Sequence, residues 1–344
     1  MKTPLRIFII TDLSSKPVKM FLNQMPKLAK GLIRLGHDVR IFNYCNTLEQ
    51  VCPFKNRTIK KMFYKKAVDK LLAGQIKCYR PDIVYVSFAR VLDAESIEIA
   101  RQAAPNAVFI GGDGDPWPKL QENRIDIAKK LDILTATNDG EFLADYKKAG
   151  VKKAVFMPNM CDPDIDTRYE VGAQWQKNIL WTGQAKHSAF SGERLREDII
   201  AKLLIRQDTS IYGCCSKPSI GGIDYLYAIS GAKLGISVNA INSIRLYHSD
   251  RITHYQASGT MVLAKHVPDS DLLFKNGVHL RYFDTADELF ELVDFYLEHE
   301  DERKKIADAG MKHAHQTFNS YNIAGYHLDL IEKGEYSAPW GIFS

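Results

Sequence analysis

Runs of apolar, β-branched residues alternate with amphipathic stretches along nearly the whole chain. "RIFIITD" (residues 6–12) reads as a strand that ends in an acid. "FLNQMPKLAKGLIRLGH" follows with Leu28, Leu32, Ile33 and Leu35 at helical spacing, and stops at Gly36. "DVRIFNY" is the next strand, and residues 59–76 form a second helical stretch. "PDIVYVSF", "NAVFIGGD", "LDILTATN" and "KAVFMPN" continue the series. "MCDPDIDTRY" has the proline and acids of a crossing loop, after which the pattern restarts. The second series is "NILWTGQ", "TSIYG", "KLGISVNA", "TMVLAKHV" and "VHLRYF", and a long helical region from "ADELFELVDFYLEHE" onward ends the chain. Continuous apolar strands separated by helices predict parallel sheets covered on both faces. At 344 residues the chain exceeds one typical core. The expected fold class is α/β, with two tandem doubly wound, Rossmann-like domains at 1–160 and 161–325. A tail at 326–344 is expected to pack back on the first domain. Such domains face each other across a cleft at the carboxyl ends of their strands, where ligands bind.

Composition narrows the class without naming a function. Hydrophobic residues make up 45% and charged residues 25%, as in an ordinary soluble protein. No run approaches the roughly 20 apolar residues that span a bilayer. "MKTPLRIFIITD" is a poor secretory signal, because its apolar run is short and an aspartate follows. The six cysteines are scattered without metal-ligand spacing, so a reduced, soluble, cytoplasmic protein is expected. Adjacent Cys214 and Cys215 are either a redox pair or two reduced loop residues, the second being the simpler reading.

Charge divides the chain unevenly. Residues 1–160 hold 27 Lys and Arg against 16 Asp and Glu, a balance of +11, while the remainder stands at −6. Halves of opposite sign suit different partners. "FKNRTIKKMFYKK" (residues 54–66) has six basic residues and no acid, interleaved with apolar and aromatic ones. On a helix this is a solvated lysine face or a peripheral contact with an anionic membrane. Nucleic acid is not expected as a partner, since the second half is acidic and carries no recognition motif.

"HSDRITHYQASGTMVLA" (residues 248–264) concentrates the candidate chemistry. It reads as a short helix that ends at Gly259 and turns into a buried strand. One capping side chain is enough for a structural helix, and Ser249 or Asp250 supplies it. Further polar residues crowd the same turn. Unpaired N–H groups at a helix start attract phosphate, and Arg251 adds a planar fork suited to a diphosphate. Tyr247, His248 and Ser249 add hydrogen-bonding groups, and Gly259 and Thr260 allow close backbone approach. The plainer alternative pairs Arg251 with Asp250 or Glu298 on the surface.

This segment, with "DLLFKNGVHLRYFDTADELFELVDFYLEHEDERKKIADAGMKHAHQTF", resembles the C-terminal domain of GT-B glycosyltransferases. The likeness is to the group-1 enzymes and their spore-maturation CgeB-type relatives, over about residues 178–326. "GGDGDPW" (residues 111–117) is similar to an Asp-Pro motif in CgeB-like proteins. The resemblance implies a nucleoside-diphosphate sugar donor as substrate, with no cofactor and usually no metal. It places the diphosphate near Gly183, Lys186 and His187 and the nucleobase near Tyr212 and Gly213. Each of these loops also reads as a plain strand-to-helix turn. The two glutamates of the group-1 pattern fall on Leu246 and His254, neither a carboxylate; His254 retains the capacity to bond a ribose hydroxyl.

In the first half, Asp113 and Asp115 stand close enough to raise one another's pKa and suit one for a general base. The alternative is a turn cap at Asp113 with Trp117 packed on the sheet. Asp12, at the end of the first strand, is the other catalytic candidate, with Asn138 and Asn159 weaker. These residues and the resemblance point to transfer of a sugar onto a glycan or lipid-linked acceptor, in cell-surface polysaccharide synthesis. Two alternatives remain: an epimerase or hydrolase of nucleotide sugars, and a binding protein without catalysis.

Overall fold

A computed structural model of the chain describes residues 4–13, 24–54, 63–88, 92–114, 120–185 and 194–344. The chain forms two compact units. One is built from the first strand, Met25–Met157 and Tyr321–Ser344, and the other from Pro158–Ser320.

The first unit holds a six-stranded sheet of β1 (Arg6–Thr11), β2 (Asp38–Asn43), β3 (Ile83–Ser87), β4 (Val108–Asp113), β5 (Ile133–Ala136) and β6 (Ala154–Phe156). The order is β2-β1-β3-β4-β5-β6 and every pairing is parallel. Ile7 to Ile10 run beside Ile83 to Val86, and all of these residues are buried. A strand covered on both faces has no polar side to alternate with, which is why the sequence reads there as a solid apolar run. The helices are α1 (Gln24–Arg34), α2 (Tyr44–Val51), α3 (Lys65–Tyr79), α4 (Ala94–Ala103), α5 (Glu122–Lys129) and α6 (Glu141–Lys148). Asp93 caps α4 by accepting the Ser96 N–H, and α3 ends on left-handed Arg80, whose N–H bonds the Ile76 carbonyl. The helix expected from residue 59 is described from Lys65 on; residues 55–62 lie outside the described residues.

The last helix, α12 (Ser320–Lys333), is followed by a hairpin of β12 (Tyr336–Ala338) and β13 (Gly341–Phe343) where the sequence reads as continued helix. Gly334, at a φ of +81°, stops the helix. The Tyr336 hydroxyl then donates to the Phe156 carbonyl at 2.6 Å, and the Phe343 ring lies 5.6 Å from that of Phe156. The tail thus packs on β6 of the first unit.

The second unit repeats the plan with β7 (Lys177–Thr182), β8 (Thr209–Tyr212), β9 (Ala232–Ser237), β10 (Met261–Lys265) and β11 (Arg281–Phe283), all parallel, in the order β11-β10-β9-β7-β8. Its remaining helices are α7 (Leu195–Leu204), α8 (Ile223–Ser230), α9 (Asp250–Ala257), α10 (Ala286–Glu298) and α11 (Glu300–Thr317). Ile179, Trp181, Leu234, Ile236, Met261 and Leu263 from the strands meet Ile199, Leu203, Leu289 and Val293 from the helices in one buried cluster. In both sheets the first strand has the second on one side and the third on the other. The winding therefore reverses between β1 and β3, and again between β7 and β9. In open parallel sheets ligands bind outside the carboxyl ends at such reversals.

Candidate functional site

At the reversal of the second sheet the carboxyl ends of β7 and β9 lie side by side, and their last carbonyls need donors. Arg251, in the first turn of α9, supplies them: its guanidinium donates to Thr182 O at 2.7 Å and to Val238 O at 2.8 Å. One turn on, Tyr255 lies over Gly235 of β9, and its hydroxyl is 2.6 Å from that of Thr182. Residues four apart share a helix face, so α9 is pinned to the sheet by both. A Cβ on Gly235 would sit 2.4 Å from the Tyr255 ring, so glycine is what lets this helix approach. Gly183, just past β7, has a φ of +121°, and a Cβ there would meet the Arg251 guanidinium at 2.5 Å. Its N–H bonds the Tyr212 carbonyl at 2.9 Å, and Gly213 packs against its backbone.

A second guanidinium reaches the same place. Arg196, in the first turn of α7, is 6% exposed and donates to Val238 O, the acceptor it shares with Arg251, and to Gln184 O. Burial, then the like charge of Arg251, pull Arg196 below the ordinary arginine range. Among the described residues neither guanidinium has an ion-pair partner, and the Nε of each is buried without a hydrogen-bond partner. Two cations lie side by side at the mouth of the sheet with N–H groups left over. Glu197 and Asp250, the acids next to them in sequence, make no ion pair with either among the described residues, and this chemistry suits an anion. Arg196 escaped the sequence reading, although a signal existed: it lies three and four residues before buried Ile199 and Ile200, on the apolar face of its helix.

The polar surplus at the start of α9 divides into separate roles. Ser249 is the cap and accepts the Arg251 N–H, while its own N–H is held by the Asn239 side chain at 2.9 Å. Asp250 complements the helix dipole. The cap and this acid occupy a helix start expected to be open for phosphate, so the arginines are the groups at this place whose chemistry suits an anion. His248 is buried against Phe274 and Phe318, and its carbonyl accepts from the Asn159 side chain. Leu246, at a φ of +58°, sets the chain's entry to this turn in a backbone state that costs a non-glycine residue about 1 kcal/mol or more. Tyr247 is nearly buried, close enough to Arg196 to affect its charge, and Tyr212 is half-buried at the end of β8.

Other candidates are not brought to this place. His254 is fully buried in α9, its Nδ1 3.4 Å from the Tyr225 hydroxyl, which leaves it no exposed face for a ribose. Gly259 and Thr260 lie past the far end of α9, at the amino end of β10. Gly259 takes a φ of +75° against the Arg168 side chain, and the Thr260 hydroxyl donates to Ile229 O at 2.6 Å. Their work is to end the helix and start the strand. Lys186 and His187 lie outside the described residues.

In the first unit, Asp113 ends β4 at 1% exposure, with both carboxylate oxygens engaged. Oδ1 pairs with Arg124, and Oδ2 accepts the Tyr146 hydroxyl at 2.6 Å. Burial and this aspartate raise the Tyr146 pKa far above that of a free tyrosine. A carboxylate so enclosed anchors α5 and α6 to the sheet, and it is not poised to take a proton from a substrate. Asp113→Ala is expected to lower unfolding stability by about 3–5 kcal/mol, because Arg124 loses the partner of a buried pair. A thermal midpoint that stays put while turnover vanishes would return Asp113 to the role of base. Asp115 lies outside the described residues. Asp12 follows β1 directly and is half-buried at the reversal between β1 and β3. Along that same edge Asn138 is fully buried, and among the described residues neither its amide atoms nor the buried Thr11 hydroxyl has a hydrogen-bond partner.

Residues 171–329 match the family model described as glycosyl transferase-like. Among solved structures the chain is similar to a glycosyltransferase from Rickettsia africae ESF-5, with 16% identity, a TM-score of 0.61, and coverage of 96% of this chain and 98% of that one. It is also similar to sucrose-phosphate synthase from Thermosynechococcus elongatus, at 14% identity, TM-score 0.60 and coverage of 96% and 98%. A third is HepE of Anabaena in complex with UDP-glucose, at 12% identity, TM-score 0.60 and coverage of 96% and 100%. At these identities the likeness is one of fold, and the fold is GT-B. Among curated proteins none matches.

Proposed function

We infer from the glycosyl transferase-like domain at residues 171–329 that this chain is a glycosyltransferase of the group-1, GT-B kind. The donor in this reading is a nucleoside-diphosphate sugar, held by the second unit. The observation that carries it is the pair of guanidiniums, Arg251 and Arg196, held by strand-end carbonyls at the carboxyl ends of β7 and β9 with no ion-pair partner among the described residues. A diphosphate supplies the missing negative charge, and HepE, which shares the fold, forms a complex with such a compound, UDP-glucose. Gly183 and Gly213 give the ligand a flat approach, with Tyr212 beside them for the base and Tyr247 and Ser249 nearby. Lys186 and His187 follow Gly183 in sequence and are the further candidates for the diphosphate in this reading.

When the sugar–oxygen bond breaks, charge builds on the departing diphosphate. Fixed cations in a part-buried site stabilise that charge without having to reorganise. In this reading the work falls to guanidinium groups and not to a metal. The first unit presents the acceptor, a glycan or lipid-linked hydroxyl, and its proton goes to a base. Asp12, at the end of β1, is the described candidate for that step, with Asp115 the other. The setting is cytoplasmic synthesis of cell-surface polysaccharide.

The test is nucleotide release from a panel of nucleotide sugars, with and without cell-envelope extract. Release from one donor that depends on the extract is the expected result. Equal release without acceptor makes the protein a hydrolase, interconversion of the sugar makes it an epimerase, and binding without consumption makes it a carrier.

A further inference from the structure

Helix α3 turns a two-sided face to solvent. Its buried side is Lys65, Val68, Asp69, Leu72 and Ile76. Lys65 there is not a free cation: it pairs with Asp69 at 2.8 Å and with Asp93 at 3.1 Å. On the outer side, Phe63, Ala67 and Leu71 fall along one strip at helical spacing, and Lys66, Lys70 and Lys77 along the strip beside it. Phe63 is 66% exposed and Leu71 45%. Phe54, 52% exposed, lies against the N-terminal end of the helix, its ring 6.4 Å from that of Tyr64. The one acid of the helix, Asp69, is buried, so its outer face carries no negative charge.

Large apolar side chains left in water beside a row of lysines are costly for a helix meant only to face solvent. The same pattern suits a helix that lies in the plane of an anionic bilayer. Its rings and leucine then enter the acyl boundary, and its lysines meet lipid phosphates. Among the described residues no helix is long and apolar enough to cross a membrane.

We propose that the outer face of α3, with Phe54 and Phe63 at its leading end, docks this protein on an anionic lipid surface. Charge complementarity selects the lipid, since the helix offers Lys66, Lys70 and Lys77 to solvent and exposes no carboxylate of its own, while Glu95 of the neighbouring helix is engaged with Lys65 at 3.5 Å.

The full chain is sedimented with phosphatidylcholine vesicles, with and without phosphatidylglycerol, at low and physiological salt. Binding is expected only with phosphatidylglycerol, and it should weaken with salt. Lys66→Gln/Lys70→Gln/Lys77→Gln is expected to weaken it at least about tenfold. Phe63→Ser/Leu71→Ser should weaken it while leaving the salt dependence intact. All five side chains are exposed, so both variants should fold and should bind nucleotide as the parent does. That readout separates failure of the docking face from failure of the donor site. Equal sedimentation with both vesicle types, unchanged binding of both variants, or retention by soluble heparin but not by anionic vesicles overturns the proposal.

Discussion

Replacing Arg251 by alanine is expected to weaken UDP binding by roughly tenfold to a hundredfold, since hydrogen bonds to charged groups contribute about 1.5–3 kcal/mol each. The guanidinium is held in place by Thr182 O and Val238 O, with three of its five N–H groups left over. The same change strips Thr182 O of its guanidinium donor, so some loss of folding stability, about 1–3 kcal/mol, accompanies it. The two effects separate by measurement. Calorimetric titration of UDP reads the site, and urea unfolding without nucleotide reads the scaffold. Arg251→Lys sharpens the comparison: one ammonium keeps the charge but cannot bridge two strand ends, so affinity should fall between parent and alanine variant. An alanine variant that binds UDP as tightly as the parent would remove Arg251 from the donor site.

Much of the fold was legible because the sheets are buried on both faces. The run from Arg6 to Thr11 and the run from Ile83 to Ser87 leave no other reading. What stayed hidden was set by tertiary partners. The hairpin Tyr336–Phe343 depends on Phe156, and no local pattern announces a contact across 180 residues. The same holds within the site. Asp113 reads in sequence as a reactive acid in a glycine-rich loop, but it ends its strand between Arg124 and Tyr146, residues that lie on two later helices. Arg251 was legible because helix-start chemistry is local. Arg196 was not, because its role appears only when β7 and β9 come together and Val238 O lies between the two guanidiniums. His254 and Thr260 read as polar and therefore available, and burial decides otherwise.

Acidification is expected to destabilise both units before the carboxylates are neutralised. His248 in the second unit and His327 in the first are almost wholly buried, 1% and 4% exposed, and burial pushes each ring down to about 4. His248 stands between Phe274 and Phe318; the His327 ring lies 5.4 Å from that of Tyr85. Asp250 draws a positive charge toward His248, but burial outweighs it. In the unfolded chain each ring titrates near its ordinary value of about 6.5. The unfolded state therefore binds the proton first, and stability present above about pH 6.5 is lost as pH falls toward 4. The limit is on the order of 3 kcal/mol for each ring. That is a large share of the roughly 5–15 kcal/mol that holds a domain together. Asp82, Asp93, Asp132, Asp208 and Asp284 all have lowered pKa values, so their own losses come at lower pH. Unfolding midpoints in urea, followed from pH 7 to pH 4.5, should drop steeply, and His327→Phe should flatten the slope for the first unit. A midpoint that holds level over that range would mean both rings take up protons inside the folded protein, against the burial that surrounds them.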